Sequence, residues 1–172
     1  MALPDLLAGL NAHGPALVLV LDYLQDPQNL GTLLRAAEAL AVNGVMIPAH
    51  RAAGVTPAVV NASAGATEHL AIVEAPNLVR TIKEAQAAGL WIVGLEKVEG
   101  APFYTQIDLT GPLGLVVGGE GKGMSRLVRE SCDLLMQLPM AGRVNSLNAA
   151  AAGSIALYEI RRQRDSSAKF SS

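Results

Sequence analysis

The sequence is poor in cysteine, histidine and aromatic residues, and each shortage excludes a class of protein. A single cysteine, Cys132, excludes an internal disulfide and favours a reducing cytoplasm. The three histidines have neither the spacing of metal ligands nor a cysteine cluster beside them, so no metal is predicted. Aromatic residues make up only 3% of the chain, so the core must consist of Ala, Val, Leu and Ile. This composition suits a parallel sheet buried on both faces.

Long apolar runs and an excess of positive charge are also missing. No run approaches the roughly 18 apolar residues that a membrane span needs, and Met1 opens no signal peptide. We therefore expect a cytoplasmic protein that does not enter the membrane. The net charge of −2 is unusual for a nucleic-acid-binding protein, because such proteins normally carry a basic field. The basic residues are grouped, however, at positions 50–51, 122–129, 143 and 161–164.

The order of apolar runs predicts the fold class. Strands are predicted at 16–22, 44–48, 69–73, 90–95, 113–118 and 133–138, and helices at 29–42, 57–64, 77–88, 125–131 and 148–163. Strands that alternate with helices predict an α/β fold with a mostly parallel sheet and helices on both faces. The longest irregular stretch, 97–110, could act as a lid. Residues 165–172 are polar and without periodicity, and we expect a disordered tail there.

Polar side chains are concentrated between the last predicted strand and the last helix. Asn145, Ser146 and Asn148 lie within four residues of one another, and an alanine-rich helix follows. Such a turn brings backbone N–H groups and short polar side chains into a small volume, which suits a polar ligand. Asn and Ser are also the preferred helix caps, so capping is the alternative.

The segment 26–38 follows the first strand and opens a helix. Either Asp26 or Asn29 can cap this helix, and Pro27 is at home near its first turn. Arg35 lies six residues beyond Asn29, and we expect both side chains to project from similar sides of the helix. Arg35 is either a solvated charge or a functional residue that emerges from an apolar stretch.

The segment 113–124 is a buried-type strand that runs into a glycine turn with one carboxylate, Glu120. It is not a Walker A loop, because Lys122 is followed by Gly123 instead of Ser or Thr. Its glycines alternate, so it also lacks the GxGxxG spacing of a dinucleotide site. The turn is better interpreted as a close backbone approach to a ligand, or as a tight corner.

These segments together resemble the three signature motifs of the SpoU (TrmH-type) family of SPOUT-class RNA ribose 2′-O-methyltransferases. The motifs are NLGTLLRAAEA at 29–39, GLVVGGEGKGM at 114–124 and LPMAGRVNSLNAAAA at 138–152. The similarity extends from about residue 16 to 164. Residues 61–70, 90–96 and 158–164 look most like the bacterial 23S rRNA 2′-O-methylguanosine branch.

The resemblance implies a C-terminal trefoil knot, S-adenosylmethionine as methyl donor with S-adenosylhomocysteine as product, an RNA substrate and a homodimer. It identifies Arg35 as the key catalytic residue, often facing the partner subunit's cofactor. Asn29 would orient Arg35 or the ribose, Glu120 would hold Arg35 or a substrate group, and Ser146 and Asn148 would complete the site. The cofactor pocket would be lined by Leu95, Glu96, Val117, Gly118, Gly119, Leu138, Pro139, Met140, Ser146 and Leu147.

We therefore expect residues 1–164 to form a SPOUT methyltransferase domain, either naturally minimal or excised, without the N-terminal RNA-binding domain that relatives commonly carry. A guanosine of 23S rRNA is the expected target. The alternatives are a tRNA ribose 2′-O-methyltransferase and a noncatalytic RNA-binding or ribosome assembly factor on the same fold. A SPOUT enzyme that methylates a base is disfavoured, because such enzymes lack the first and third motifs seen here.

Overall fold

The computed structural model describes residues 1–10, 12–50 and 53–170. For residues 169 and 170 it describes the backbone but not the side chains. Arg51, one of the clustered basic residues, lies outside the described residues. The strands are β1 (Leu17–Asp22), β2 (Gly44–Pro48), β3 (Ile72–Ala75), β4 (Trp91–Leu95), β5 (Leu113–Gly118) and β6 (Leu134–Met136). They form one sheet in the order β3-β2-β1-β5-β4-β6, and every neighbouring pair is parallel. The predicted α/β class is thereby confirmed.

Burial on both faces explains why the central strands are uninterrupted apolar runs. Every residue of β1 and of β5 is buried, and the two strands pair along their whole length. The helices are α1 (Leu3–Gly9), α2 (Pro27–Ala39), α3 (Pro57–Ala62), α4 (Leu78–Ala87), α5 (Arg126–Ser131) and α6 (Ala149–Phe170). One apolar core joins the sheet to α2, α3 and α6, and a second joins it to α1, α4 and α5. Helices therefore cover both faces, as predicted.

Local signals set the start of α2. Asp26 is its N-cap, and the Asp26 Oδ1 accepts a hydrogen bond from the Gln28 amide at 2.8 Å. Pro27 occupies the first turn, where its missing N–H costs nothing. Asp26 is therefore the cap, and the side chain of Asn29 is left for the site described below.

The C-terminal segment differs from the prediction. Helix α6 runs to Phe170 instead of ending at 163, so residues 165–170 are helical and not a disordered tail. Arg161 pairs with Asp165 one turn later at 3.1 Å, which supports continued helix. Arg164 donates hydrogen bonds to the carbonyls of Pro15, Ala16 and Gly111, at 2.7, 3.0 and 2.8 Å. These bonds tie the end of α6 to the amino edge of the sheet.

The long irregular stretch is anchored and does not have the form of a lid. The side-chain amide of Gln137 donates to the carbonyls of Val98 and Ala101, at 3.0 and 2.7 Å. Leu109 is buried in the core, and its amide donates to Gln163 at 2.8 Å. The third strand begins at Ile72 instead of residue 69, where the His69 amide still closes the preceding 3₁₀ turn by donating to the Ala66 carbonyl at 3.0 Å.

The strand order places a switch point between β1 and β5, because connections leave these two strands toward opposite edges of the sheet. In open α/β sheets, ligands bind outside the carboxyl ends of the strands near such a point. None of the helices in the described part of the chain is long and apolar enough to cross a bilayer. The trefoil knot stays a prediction.

Candidate active site

A cleft of about 300 Å³ opens at the carboxyl ends of β4, β5 and β6. Its volume and position are those of a small-molecule site. The apolar side chains of the cleft could flank a flat ring, and its glycine turn exposes backbone to a ligand. The lining residues are Leu95, Glu96, Lys97, Val117, Gly118, Gly119, Glu120, Gly121, Lys122, Gly123, Leu138, Met140, Asn145, Ser146, Leu147, Ala149 and Ala152.

All the residues predicted to bind a cofactor line this cleft except Pro139, which is exposed beside it. They come from three separate regions of the sequence, and the parallel sheet brings those regions to one edge. Among the catalytic candidates, Glu120 and Ser146 also belong to the lining. The structure thus places these residues together, whereas their roles remain predictions.

A polar network of three side chains lies at the rim of the cleft. The Asn29 Nδ2 donates to Glu120 Oε1 at 3.0 Å, and the Asn148 Nδ2 donates to Asn29 Oδ1 at 2.9 Å. Asn148 also caps α6, because its Oδ1 accepts from the amides of Ala150 and Ala151 at 2.8 and 3.2 Å. Asn148 is therefore a helix cap that also belongs to the polar network. Asn29 is buried, and it joins the first motif to the other two.

The network keeps the Glu120 carboxylate ionised. Partial burial raises the pKa of Glu120, but the hydrogen bonds from Asn29 and from the backbone amides of Glu120, Gln25 and Asp26 outweigh it. The net result is a pKa below the ordinary value. The bond from the Gln25 amide to the second carboxylate oxygen is long, at 3.4 Å. Glu120 can therefore accept a further hydrogen bond from a ligand hydroxyl or a guanidinium.

Arg35 lies apart from this network. It is exposed, and its side chain forms no hydrogen bond or ion pair with the described residues of the same chain. The expectation that Arg35 and Asn29 project from similar sides of α2 is wrong. Six residues rotate an α-helix by about 600°, which leaves the two side chains about 120° apart. Asn29 faces inward and Arg35 faces solvent.

Two residues that the sequence analysis did not single out, Asp22 and Arg129, support the turn at 119–123 together with Glu96. Asp22, the last residue of β1, is fully buried, and its Oδ2 accepts from the Ser125 amide at 2.7 Å. Burial raises the pKa of Asp22 above its ordinary value, and its other oxygen has no hydrogen-bond partner among the described residues. Glu96 forms an ion pair with Arg129. The sequence did contain a signal for Asp22, because a charged residue at the end of a buried strand indicates a specific polar role.

Cations lie at the mouth of the cleft. Lys97 and Lys122 are part of its lining, and the Lys97 ammonium donates to the Asn145 carbonyl at 3.4 Å. Arg143 is exposed in the loop that follows β6. Within the described residues no group of three or more His, Cys, Asp or Glu side chains is arranged to hold a metal ion. The site therefore combines two carboxamides, a carboxylate and nearby cations.

Comparison with known proteins defines the class of this fold and site. Residues 16–158 match the model of the SpoU rRNA Methylase family. The match covers most of the chain and includes every strand, so the chain belongs to the SpoU rRNA methylase family.

Individual relatives agree with this assignment. YacO of Bacillus subtilis, assigned by name to the TrmH family of tRNA/rRNA methyltransferases, is 47% identical over 147 residues, which are 86% of this chain and 59% of that protein. The 23S rRNA (guanosine-2′-O-)-methyltransferase RlmB of Pseudomonas syringae pv. tomato is 46% identical over 158 residues, 92% of this chain and 63% of RlmB. The chain thus spans about three fifths of the length of these relatives.

Solved structures share the fold. The SpoU methyltransferase AviRb of Streptomyces viridochromogenes, in complex with the cofactor AdoMet, superposes with a TM-score of 0.82 at 33% identity over 91% of this chain and 64% of AviRb. The TrmH/SpoU tRNA modifying enzyme of A. aeolicus gives a TM-score of 0.82 at 26% identity over 98% of this chain and 85% of that enzyme.

Proposed function

We propose that this chain transfers a methyl group from S-adenosylmethionine to a ribose 2′-hydroxyl of RNA. The observation that carries the proposal is the network of Asn29, Glu120 and Asn148 at the rim of the cleft that holds the predicted cofactor residues. Membership of the SpoU family and the AdoMet complex of AviRb support the choice of cofactor. The cleft also suits it, because Leu95, Val117 and Leu138 can flank an adenine ring.

The chain's own residues would position the RNA. S-adenosylmethionine, when bound, supplies a methyl group on a positively charged sulfur. Glu120, kept ionised by Asn29, would accept a hydrogen bond from the ribose or from an incoming guanidinium. Arg35 would grip the phosphate next to the target ribose with two parallel hydrogen bonds. We assign it this anchoring role because a guanidinium does not give up its proton in proteins.

A guanosine of 23S rRNA is the target that we favour, because RlmB is 46% identical to this chain. The tRNA alternative is supported by the names of YacO and of the A. aeolicus enzyme. A noncatalytic RNA-binding role is disfavoured, because Asn29, Arg35, Glu120, Ser146 and Asn148 are all retained. Methylation assays with separate 23S rRNA and tRNA transcripts distinguish these targets. The cytoplasmic location stays a prediction.

The site would be completed by a second copy of the chain. Ile155 and Tyr158 of α6 are 40% and 61% exposed, one turn apart on the same face, and Leu147 nearby is 41% exposed. Helix α6 packs on α2 so closely that a Cβ on Gly153 would lie 2.5 Å from the Leu33 side chain. This neighbour, α2, presents Arg35 to solvent. A homodimer through the exposed face of α6 would bury the apolar residues and deliver Arg35 to the partner's cleft.

Loss of Arg35 tests the proposal. Arg35→Ala should abolish transfer of tritiated methyl groups to a 23S rRNA transcript, with a loss on the order of 10²–10³ in rate. Calorimetric binding of S-adenosylmethionine should be retained, because Arg35 lies outside its own chain's cleft. Near-normal activity of Arg35→Ala would reduce Arg35 to a surface charge. Failure of the wild-type protein to bind the cofactor at millimolar concentration would contradict the proposed function itself.

Mixing two inactive variants tests the dimer. Arg35→Ala lacks the anchor, and Gly118→Ala should block the cleft. If Arg35 acts on the partner's site, subunit exchange creates mixed dimers with one intact site, and about a quarter of wild-type activity should return. A mixture that stays inactive while native mass spectrometry shows mixed dimers would place Arg35 and the cleft of one subunit in the same site.

A further inference from the structure

The glycine turn at 119–123 forms one wall of the cleft, and its shape depends on where Met124 lies. The turn folds back on itself, with the Gly123 amide donating to the Gly119 carbonyl at 3.2 Å. A Cβ on Gly118 would collide with the amide nitrogen of Met124 and with the backbone of Gly123. The exit of the turn therefore packs against its entrance. Any shift of the Met124 peptide moves the wall.

Two charged side chains form hydrogen bonds with the backbone of Met124, one with its amide and one with its carbonyl group. The Met124 amide donates to Glu96 Oε1 at 3.0 Å, and the Met124 carbonyl accepts from Arg129 Nη2 at 3.2 Å. Arg129 Nε in turn donates to Glu96 Oε2, so the two side chains and the Met124 backbone form a closed ring of hydrogen bonds. We call this arrangement the Glu96–Arg129 clamp. Asp22 holds the next amide, that of Ser125, at 2.7 Å.

The clamp differs from the other ion pairs on its helix in burial and in position. The side chains of Glu96 and Arg129 are 15% and 40% exposed, whereas those of Arg126 and Glu130, also on α5, are 74% and 60% exposed. An exposed pair contributes little, because water screens it. Removing Arg129 would instead leave a mostly buried carboxylate without its cation, in a residue that itself lines the cleft.

We propose that Glu96 and Arg129 are positioning residues that hold the glycine turn in the form that binds the cofactor. This inference rests on the proposed function, since it takes S-adenosylmethionine as the ligand of the cleft. In this role Arg129 acts only through the turn, because it is not part of the cleft lining. Loss of Arg129 should therefore lower cofactor affinity and leave the rate at saturating cofactor nearly unchanged.

The test compares Arg129→Gln with Arg126→Gln, which removes a cation from the same helix without touching the turn. Calorimetry with S-adenosylhomocysteine should show affinity about tenfold weaker in Arg129→Gln, as expected for the loss of charged hydrogen bonds. Arg126→Gln should bind like the wild type. Glu96→Gln, which keeps an acceptor for the Met124 amide but loses the charge, should weaken binding less than Glu96→Ala. In methylation assays of Arg129→Gln the KM for cofactor should rise and kcat should stay within about threefold.

The outcomes separate this inference from the proposed function. Wild-type protein that binds no cofactor contradicts the proposed function. Wild-type binding together with unchanged affinity in Arg129→Gln overturns the clamp, and so does a fall in thermal stability without a change in affinity. A fall in kcat with an unchanged KM would also overturn it, because Arg129 would then act on the RNA. If Arg129→Gln does not fold, Arg129→Lys, which keeps the charge but not the planar fork, replaces it with the same expected loss of affinity.

Discussion

The Asn29→Asp substitution provides a sharp test of the network at the rim of the cleft. Asp has almost the shape of Asn and can still accept the hydrogen bond from Asn148. It cannot donate to Glu120, however, and it places a second carboxylate where an amide lies 3.0 Å from Glu120 Oε1. The change therefore replaces one attraction with a repulsion and leaves the packing intact.

The magnitude follows from two contributions. Losing a hydrogen bond to a carboxylate costs about 1.5–3 kcal/mol when both groups are buried, and we take about 1 kcal/mol because Glu120 is exposed. Two unit charges about 3 Å apart repel by about 1.4 kcal/mol in water and by about 5.5 kcal/mol at an effective dielectric of 20. Asn29 is buried but Glu120 is not, so a value near the lower limit applies. The expected loss in unfolding free energy at pH 7 is about 2–4 kcal/mol.

The unfolding free energy should depend on pH in opposite directions in the wild type and in Asn29→Asp. In the wild type the pKa of Glu120 is lowered by folding, so its contribution to stability is present above the ordinary value of 4.5 and is lost as the pH falls. In Asn29→Asp one of the two adjacent carboxylates has a raised pKa, so the variant regains stability as the pH falls through that value. Urea unfolding at pH 5, 6, 7 and 8 measures the stability of the wild type and of Asn29→Asp, with Asn29→Ala as the uncharged control. Equal stability of Asn29→Asp and the wild type at pH 7, or a pH-independent difference, would refute the network.

Three further predictions concern the surroundings of the cleft. Gly118→Ala should abolish cofactor binding in calorimetry, because the new Cβ meets the Met124 amide nitrogen and forces the turn open; retained affinity would show that the turn tolerates the shift. Folding raises the pKa of Asp22, so its contribution to stability should decrease as the pH rises above 3.8, and urea unfolding of Asp22→Asn should lack that decrease. Burial raises the pKa of the Cys132 thiol to about 12, so iodoacetamide should label it at pH 8 only after unfolding, and rapid labelling of the native protein would contradict this.

The positions of strands and helices could be predicted because their signals are local. The strand β5 is an uninterrupted apolar run closed by glycine, and the start of α2 carries a cap and a proline. Periodicity and caps need only neighbours in the sequence. The end of α6 was missed because Arg164 is held by carbonyls of Pro15 and Gly111, which lie far away in the sequence. No local pattern records such a contact.

The candidate site, like the fold, has a part that could be predicted from the sequence and a part that could not. Residues of the cleft could be predicted from the resemblance to the SpoU family, and the sheet brings them together because they lie at the carboxyl ends of β4, β5 and β6. The partners of the side chains could not. In the structure Glu120 accepts a hydrogen bond from Asn29, a contact that the sequence did not indicate, and its role of holding Arg35 or a substrate group stays a prediction. An ion pair between Glu96 and Arg129 joins residues that are far apart in the sequence, with no signal that relates them.

The separation of Arg35 from the network has a physical reason that bears on the mechanism. An arginine beside Glu120 within one chain would form an ion pair and be held by it. Here Glu120 accepts a hydrogen bond from Asn29 instead, and Arg35 is exposed to solvent. Such a guanidinium keeps its donors for a phosphate or for a second copy of the chain. A single subunit therefore presents a cleft with an ionised carboxylate and, outside that cleft, an exposed arginine, which is the arrangement that the proposed homodimer requires.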